Sequence, residues 1–372
     1  MTVTAEQRER DRVHMLRCLE LAETFRGRTA PNPIVGCVIV DKRGRVIAEG
    51  VHRGPGKAHA EIDALAKLKG TAAKGATLYV NLEPCNHHGR TPPCAPVVRD
   101  RGVARVVVGM RDPIADHAGG IAVLKKAKIA VTVGVEEGAC LRANLPFVTV
   151  ARHGRAAFTL KAGITLDGKI ATVAAESKWI TGDLARADVM RLRTTHDAVL
   201  VGCGTVAADD PQLTARTKGG RDPHRVVVDT HLRTQPDARL MTRSPGARVI
   251  LACGANAPAT RERALVDRGA EVWRIDTLRD GRVDLALLAT RLAKEGMSAV
   301  LVEGGGEIHA SLLAANLADE LVLYVAPVVV GGPAKSWVGG EGIAALADAH
   351  RFVFDAPAQL GADLRLTAIR TT

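Results

Sequence analysis

Two series of β-branched runs, each run set off from the next by a stretch of helical period, constrain this chain more than any other feature. The first series reads IVGCVIV (34–40) and RVIAEG (45–50) around the turn Asp41-Lys42-Arg43-Gly44, then ATLYVNL (76–82), RVVVGM (105–110) and IAVTVGV (129–135). Met15, Cys18, Ala22 and Phe25 fall on one helical face ahead of it, and residues 59–69 have helical spacing. The second series follows the basic stretch Ala151–Arg155: AAFTLKA (156–162), AVLVG (198–202), RVVVD (225–229), ARVILA (247–252), AVLVE (299–303) and ELVLYVAPVVV (320–330). RFVFD (351–355) and DLRLTAI (363–369) close the chain as an antiparallel hairpin. Strands apolar on both faces and alternating with helices predict α/β sheets covered on both sides. A length of 372 residues fits two such domains, 1–150 and 151–372.

Composition narrows the function classes. The longest apolar run, Leu321–Val330, is too short to span a bilayer and contains Pro327. The opening MTVTAEQRERDR lacks an apolar signal core, so the expected setting is cytoplasmic. Seven scattered cysteines in such a setting predict free thiols and metal ligands instead of a disulfide framework. The net charge of +11 fits nucleic acid, acidic metabolites or plain solubility. Five Phe, three Trp and two Tyr leave little for the aromatic platforms on which single-stranded nucleic acid stacks.

The strongest chemical signal is His59-Ala60-Glu61 followed by Pro84-Cys85 and Cys94. One imidazole and two thiolates suit zinc and leave a fourth tetrahedral position for water. Glu61, two residues beyond His59 at a helix start, can reach that water without ligating the metal and carry its proton to a leaving amine. His-x-Glu with Pro-Cys and a second Cys is the pattern of zinc nucleobase deaminases, here with the two cysteines nine positions apart.

At these residues the chain resembles the bifunctional riboflavin-biosynthesis deaminase–reductase family. The matching segments are Thr29-Ala-Pro-Asn-Pro-Ile-Val-Gly36, His52 before Gly56-Lys-Ala-His-Ala-Glu61, and Pro84-Cys-Asn-His-His-Gly-Arg-Thr-Pro-Pro-Cys94. The resemblance implies an N-terminal cytidine-deaminase-like α/β/α zinc domain and a C-terminal dihydrofolate-reductase-like α/β domain. The first would release ammonia from the 2-amino group of a phosphoribosylated diaminopyrimidinone. Asn32 is then expected at the pyrimidine, and His87 and His88 at the substrate mouth in preference to the metal. Arg90 and Thr91 offer a guanidinium fork and a hydroxyl to a phosphate, although a solvated Arg90 fits equally well. The family's Asp-Pro-Asn-Pro and glycine-rich turn are replaced by Arg111-Asp-Pro-Ile-Ala-Asp-His-Ala-Gly-Gly-Ile121, one residue shorter.

In the second half, polar segments sit at strand ends: Lys161–Gly168, Ser177–Thr181, Arg191–Arg193, Val201–Thr205, Asp209–Arg216, and Val302-Glu-Gly-Gly-Gly-Glu-Ile-His309. The last is a glycine-rich strand-to-helix turn able to cradle phosphate, though not Gly-x-Gly-x-x-Gly. The resemblance places Gly163, Trp179, Thr205, Asp209, Thr230 and the loop Gly305, Gly306, Glu307, Ile308, His309, Ala310 and Ser311 around NADPH. It places Ser177, Arg193, Leu213, Arg216 and Glu303 around the substrate, with the two arginines as a phosphate clamp and Glu303 on sugar hydroxyls. Trp179 and Leu213 also read as core residues, and Asp167 as a turn residue. The implied step is hydride transfer to C1′ of the ribosylamino group; Lys161 and Asp209 are the candidate proton sources.

Two other readings share these residues. A deaminase acting on RNA would use the basic excess of the first half, 23 Lys and Arg against 15 Asp and Glu in residues 1–150. A chain with one inactive half, retained as a binding module, would explain the shortened 111–121 segment. The family implies zinc, NADPH, a small phosphorylated pyrimidine substrate and a homo-oligomer, with no nucleic acid and no membrane.

Overall fold

The computed structural model describes residues 4–88 and 92–371. The chain divides into two compact units between Gly154 and Arg155. In the first, α1 (Ala5–Glu23) precedes β1 (Gly36–Val40), β2 (Val46–Val51), α2 (Ala60–Ala66), β3 (Thr77–Leu82), α3 (Cys94–Asp100), β4 (Arg105–Met110), α4 (Gly120–Lys126), β5 (Ala130–Val133), α5 (Glu137–Ala143) and α6 (Leu145–His153). The strand order is β2-β1-β3-β4-β5, with β1 antiparallel to both neighbours and β3, β4 and β5 parallel. All five residues of β1 are buried, as a central strand covered on both faces requires.

α1 and α5 lie on one face of this sheet, α2, α3 and α4 on the other. Met15, Cys18 and Ala22 point into the core. Phe25 does not continue that face, because α1 ends at Glu23 and Thr24 turns its hydroxyl onto the Leu21 carbonyl. α2 presses so closely on β2 that a Cβ on Gly50 would stand 2.1 Å from the Ala60 carbonyl oxygen. That contact fixes the start of α2, where His59 and Glu61 sit.

The second unit opens with β6 (Ala157–Thr165), α7 (Asp183–Thr195), β7 (Ala198–Gly202), α8 (Cys203–Asp209), β8 (His224–Val228), β9 (Val249–Cys253), α9 (Ala259–Asp267) and β10 (Glu271–Arg274). It closes with α10 (Leu285–Lys294), β11 (Ala299–Val302), α11 (Gly306–Ala314), β12 (Ala318–Ala326), β13 (Phe352–Phe354), β14 (Ala358–Leu360) and β15 (Asp363–Arg370). Seven strands, β10-β9-β8-β7-β11-β6-β12, run parallel; β15 and then β13 add antiparallel at one edge, and β14 also pairs β15. Successive residues of β7 feed opposite cores: Ala198 and Leu200 one, Val199 and Val201 the other.

Three sequence expectations shift. β12 stops at Ala326, because Pro327 has no N–H for the ladder. The closing hairpin contains β14 as well, folded onto β15 through Gly361. β10 is an additional parallel strand at the edge.

The chain leaves β6, runs outward through β7, β8, β9 and β10, then returns to insert β11 between β7 and β6. Reversals of this kind open a crevice at the carboxyl ends of parallel strands, where open α/β sheets bind ligands. Glu303, Gly305, Thr205 and Thr230 all lie at those ends.

Candidate active sites

In the first unit three segments converge. His59 is the residue before α2, Cys85 follows β3, and Cys94 opens α3. The His59 Nδ1 lies 3.2 Å from the Cys94 Sγ and 3.5 Å from the Cys85 Sγ, and all three donor atoms fall within 4.8 Å of one another. The Cys94 backbone N–H donates to the Cys85 sulfur at 3.4 Å. Tetrahedral zinc with these ligands has nitrogen–sulfur edges of about 3.6 Å. The protonation pattern fits a cation as well. The Cys94 thiol, followed by His59, pulls Cys85 down to about 4, while the Cys85 thiolate and burial push Cys94 up. Among the described residues this is the one cluster able to hold such an ion.

Glu61 is buried one helical step away. Burial, then the neighbouring Cys85 charge, pushes its carboxyl up to about 7. A bound dication would draw that value down again. Asn32 Nδ2 meets His52 Nε2 at 3.1 Å, and His52 Nδ1 donates to the Ala58 carbonyl at 3.1 Å. The His52 ring stands edge-on to His59 with centroids 5.4 Å apart, so Asn32 is tied to the metal ligand through one imidazole.

The segment carrying Asn32 is held by two residues that the sequence did not single out. Asn81 accepts from the Gly36 N–H and donates to the Ile34 carbonyl; Asn144 accepts from the Ile34 N–H and donates to the same carbonyl. A third, Glu83, gathers the shortened loop, its carboxylate accepting from the N–H groups of Asp112, Gly119 and Ile121. That loop supplies His117, which stacks on His87 with centroids 3.9 Å apart. His87 lies outside the metal cluster and His88 is exposed. Arg90 and Thr91 lie outside the described residues.

In the second unit the β7–α8 and β11–α11 turns meet. A Cβ on Gly304 would stand 3.2 Å from the Thr205 Oγ1, and both Gly304 and Gly305 have positive φ. Only glycine lets the backbone approach this closely and turn this way, leaving a cradle at the start of α11. That opening fits a dinucleotide diphosphate. Gly163 lies on β6, and Thr181 is its nearest neighbour beyond the strand. Thr230 is half-buried beyond β8, and Asp209 is exposed at the end of α8.

The polar centre of this unit is Glu303. Its carboxylate is paired by Arg193, Nε at 2.5 Å and Nη2 at 3.0 Å, and by the Lys161 Nζ at 3.2 Å. Burial opposes ionisation, but Arg193 and then Lys161 hold the carboxyl down at about 2. The Arg193 Nη1 donates to the Thr214 carbonyl.

Several side-chain expectations change here. Arg193 is buried in an ion pair, not splayed beside Arg216, which is exposed with φ +53°. The Leu213 side chain lies in the core, so only its backbone can face a ligand. His309 is buried, its Nδ1 donating to the Trp337 carbonyl. Trp179 is 71% exposed beneath the Arg186 guanidinium, so it is no core residue. Ser177 is half-buried near it, Glu307 accepts from the Gly340 N–H, and Ser311 accepts from Arg282. Asp167 accepts from the Val330 and Gly331 N–H groups, which makes it a loop anchor.

Residues 8–110 match the family model described as the cytidine and deoxycytidylate deaminase zinc-binding region, and residues 156–364 match the RibD C-terminal domain. The chain is 39% identical over 359 residues to the riboflavin biosynthesis protein RibD of Bacillus amyloliquefaciens, covering 96% of this chain and 95% of that one. The chain belongs to the RibD family. RibD of Escherichia coli K12 is 38% identical over 377 residues, covering 96% of this chain and 98% of that one. Among solved structures, Acinetobacter baumannii RibD superposes with a TM-score of 0.82 at 36% identity, covering 98% of this chain and 100% of that one. The diaminohydroxyphosphoribosylaminopyrimidine deaminase/5-amino-6-(5-phosphoribosylamino)uracil reductase of Thermotoga maritima gives 0.84 at 32% identity, covering 98% and 99%. As a RibD-family enzyme the chain is a zinc deaminase joined to an NADPH reductase. No helix among the described residues is long and apolar enough to cross a membrane.

Proposed function

We infer that this chain deaminates 2,5-diamino-6-(5-phosphoribosylamino)pyrimidin-4-one in its first unit and reduces the ribosyl group of the product to ribityl in its second. The observation that carries the first step is the convergence of His59, Cys85 and Cys94 beside a buried Glu61. Zinc held by those three side chains supplies the Lewis acidity that lets a water ionise near neutral pH. Glu61 takes the proton from that water as its oxygen bonds to C2, and passes it to the departing 2-amino group. The C–N bond breaks and ammonia leaves, so one water is consumed. Asn32, steadied by His52, orients the pyrimidine.

In the second unit NADPH supplies a hydride to C1′ of the ring-opened ribosylamino group. The Lys161 Nζ, held by Glu303, is the proton source, and Asp209 is not, because it stands at the exposed end of α8. Arg193 acts as a positioning residue for Glu303, and Arg216 meets the substrate phosphate. Gly163, Trp179, Thr205, Thr230 and residues 305–311 lie around the cofactor, and Ser177, the Leu213 backbone and Glu303 around the substrate. We further assign the enzyme to the cytoplasm as a homo-oligomer, on the strength of the family.

The test is direct. The purified chain receives the diaminopyrimidine phosphate and NADPH, and ammonia release and loss of nicotinamide absorbance are followed together. One ammonia and one oxidised nicotinamide per substrate support the reading. Ammonia without NADPH oxidation would leave the chain with one working half.

A further inference from the structure

Arg233 lies at the carboxyl edge of the second sheet, on the turn that follows β8. Arg248 pairs with Glu271, Arg274 with Glu262 and Arg282 with Asp280. Among the described residues no carboxylate lies within ion-pair distance of Arg233; its Nη2 instead reaches the Cys203 Sγ at 3.2 Å. The guanidinium therefore hangs across the gap between the β8 end and the start of α8, exposed, with Asp229 acting on it only from beyond ion-pair distance.

Its backbone is held in place. Leu232 on one side is buried in the core with φ +52°, and Thr234 on the other is buried with its N–H and hydroxyl on the Asp229 carboxylate at 2.7 and 2.8 Å. Asp229 thus uses its charge inward, on the turn itself. With both neighbours pinned, Arg233 can only point out. Thr230 lies on the same turn, and the Arg261 Nη1 donates to the His231 carbonyl at 3.2 Å, adding a second cation there.

The position follows from topology. Glu303 and Lys161 mark the reacting end of the crevice, over β11 and β6, and the glycine cradle at residues 304–306 takes the diphosphate. A dinucleotide laid from that end across the cradle would run outward over β7, the next strand in the sheet, and bring its adenosine ribose toward the end of β8. An exposed cation there, two strands from the cradle, would be placed to accept a 2′-phosphate.

We propose that Arg233 binds the 2′-phosphate of NADPH and sets this enzyme's preference for the phosphorylated nicotinamide cofactor. The assignment rests on the reductase reading of the second unit. It deepens that reading by naming the side chain that separates NADPH from NADH. The guanidinium presents a planar fork to phosphate oxygens, and the Cys203 contact is weak enough to be exchanged for it.

The test is calorimetric binding to the full-length chain, with no turnover involved. NADP+, NAD+, adenosine 2′,5′-bisphosphate and 5′-AMP are titrated into wild type, Arg233→Gln and Arg233→Lys. Arg233→Gln should weaken NADP+ and the bisphosphate on the order of ten- to a hundredfold while leaving NAD+ and 5′-AMP within about twofold. Arg233→Lys should keep part of the discrimination. Equal weakening of phosphorylated and unphosphorylated ligands, or no change in either, would overturn the assignment and leave the reductase reading standing. A wild type that binds none of the four would remove that reading and this proposal together.

Discussion

Replacing Arg193 by Met separates a positioning role from a phosphate clamp. Glu303 ordinarily would ionise near 4.5, and despite burial Arg193 and Lys161 hold it at about 2. At roughly 1.4 kcal/mol per tenfold in proton affinity, the fold favours the ionised carboxyl by about 3 kcal/mol. Because the folded value lies below the unfolded one, this stability is complete above about pH 4.5 and is lost as pH falls through 2. Met keeps much of the length of the stem but removes the cation that does most to hold the buried carboxylate ionised. Truncating one partner of a buried pair costs about 3–5 kcal/mol, so Arg193→Met should lose about 3 kcal/mol at pH 7.

All three tryptophans, Trp179, Trp273 and Trp337, lie in the second unit, so their fluorescence in urea reports that unit alone. The midpoint should fall by about 1–2 M. The gap from wild type should narrow as pH drops toward 4, where the variant's carboxyl takes up its proton. Arg193→Met with Glu303→Gln should recover part of the loss, since no buried carboxylate is then left short of a partner, while Lys161 gives up its own. An unchanged midpoint, together with a raised KM for the phosphorylated substrate, would refute the positioning role and restore Arg193 to the phosphate.

Glu61→Gln should slow ammonia release about 10²–10⁴-fold while zinc content and NADPH-dependent reduction of the deaminated pyrimidine persist; a surviving deaminase rate would rule out Glu61 as proton carrier. Chelation of the metal should abolish ammonia release and leave the tryptophan-monitored melt where it was, because the ligands belong to the first unit. Arg216→Ala should raise KM for the phosphorylated substrate about tenfold with the melt unchanged, and a shifted melt would show that the exposed side chain has a structural partner. Asn144→Ala leaves the Ile34 N–H without its acceptor and the Ile34 carbonyl with Asn81 alone, and should cost about 1–3 kcal/mol in the first unit, read by circular dichroism; a cost near zero would mean Asn81 suffices to hold that segment.

The β-branched runs were legible because central strands buried on both faces tolerate little else, as β1 and β7 show with every residue buried. The two strands that escaped notice, EVWR of β10 and AQL of β14, are short edge or hairpin strands in which burial selects little: Trp273 alone is buried in the first and no residue in the second. The zinc ligands were legible for a different reason: few residue types can hold the ion, and their order survives in sequence. Asn81, Asn144 and Glu83 were not, because each acts on backbone far along the chain. Asn81 did leave a trace, as a polar side chain inside an otherwise apolar buried strand, which folds only if it finds partners.

What residue identity hides best is whether a charge is already answered. Arg193, Arg216, Arg225 and Arg233 look alike in sequence and have four different environments. Arg193 is neutralised by Glu303 in the interior. Arg225 is fully buried and donates to the Leu240 and Thr242 carbonyls, and burial pulls its pKa down. Arg216 and Arg233 are exposed at loops beside the crevice and keep their charge for an incoming anion. The net charge of +11 therefore carries little information about ligands, because several basic side chains in the second unit, Arg155, Arg193, Arg248 and Arg274 among them, are already matched by carboxylates. Arginines that the fold leaves without a carboxylate, fixed by buried neighbours at strand ends, are the ones that select between phosphorylated and unphosphorylated ligands.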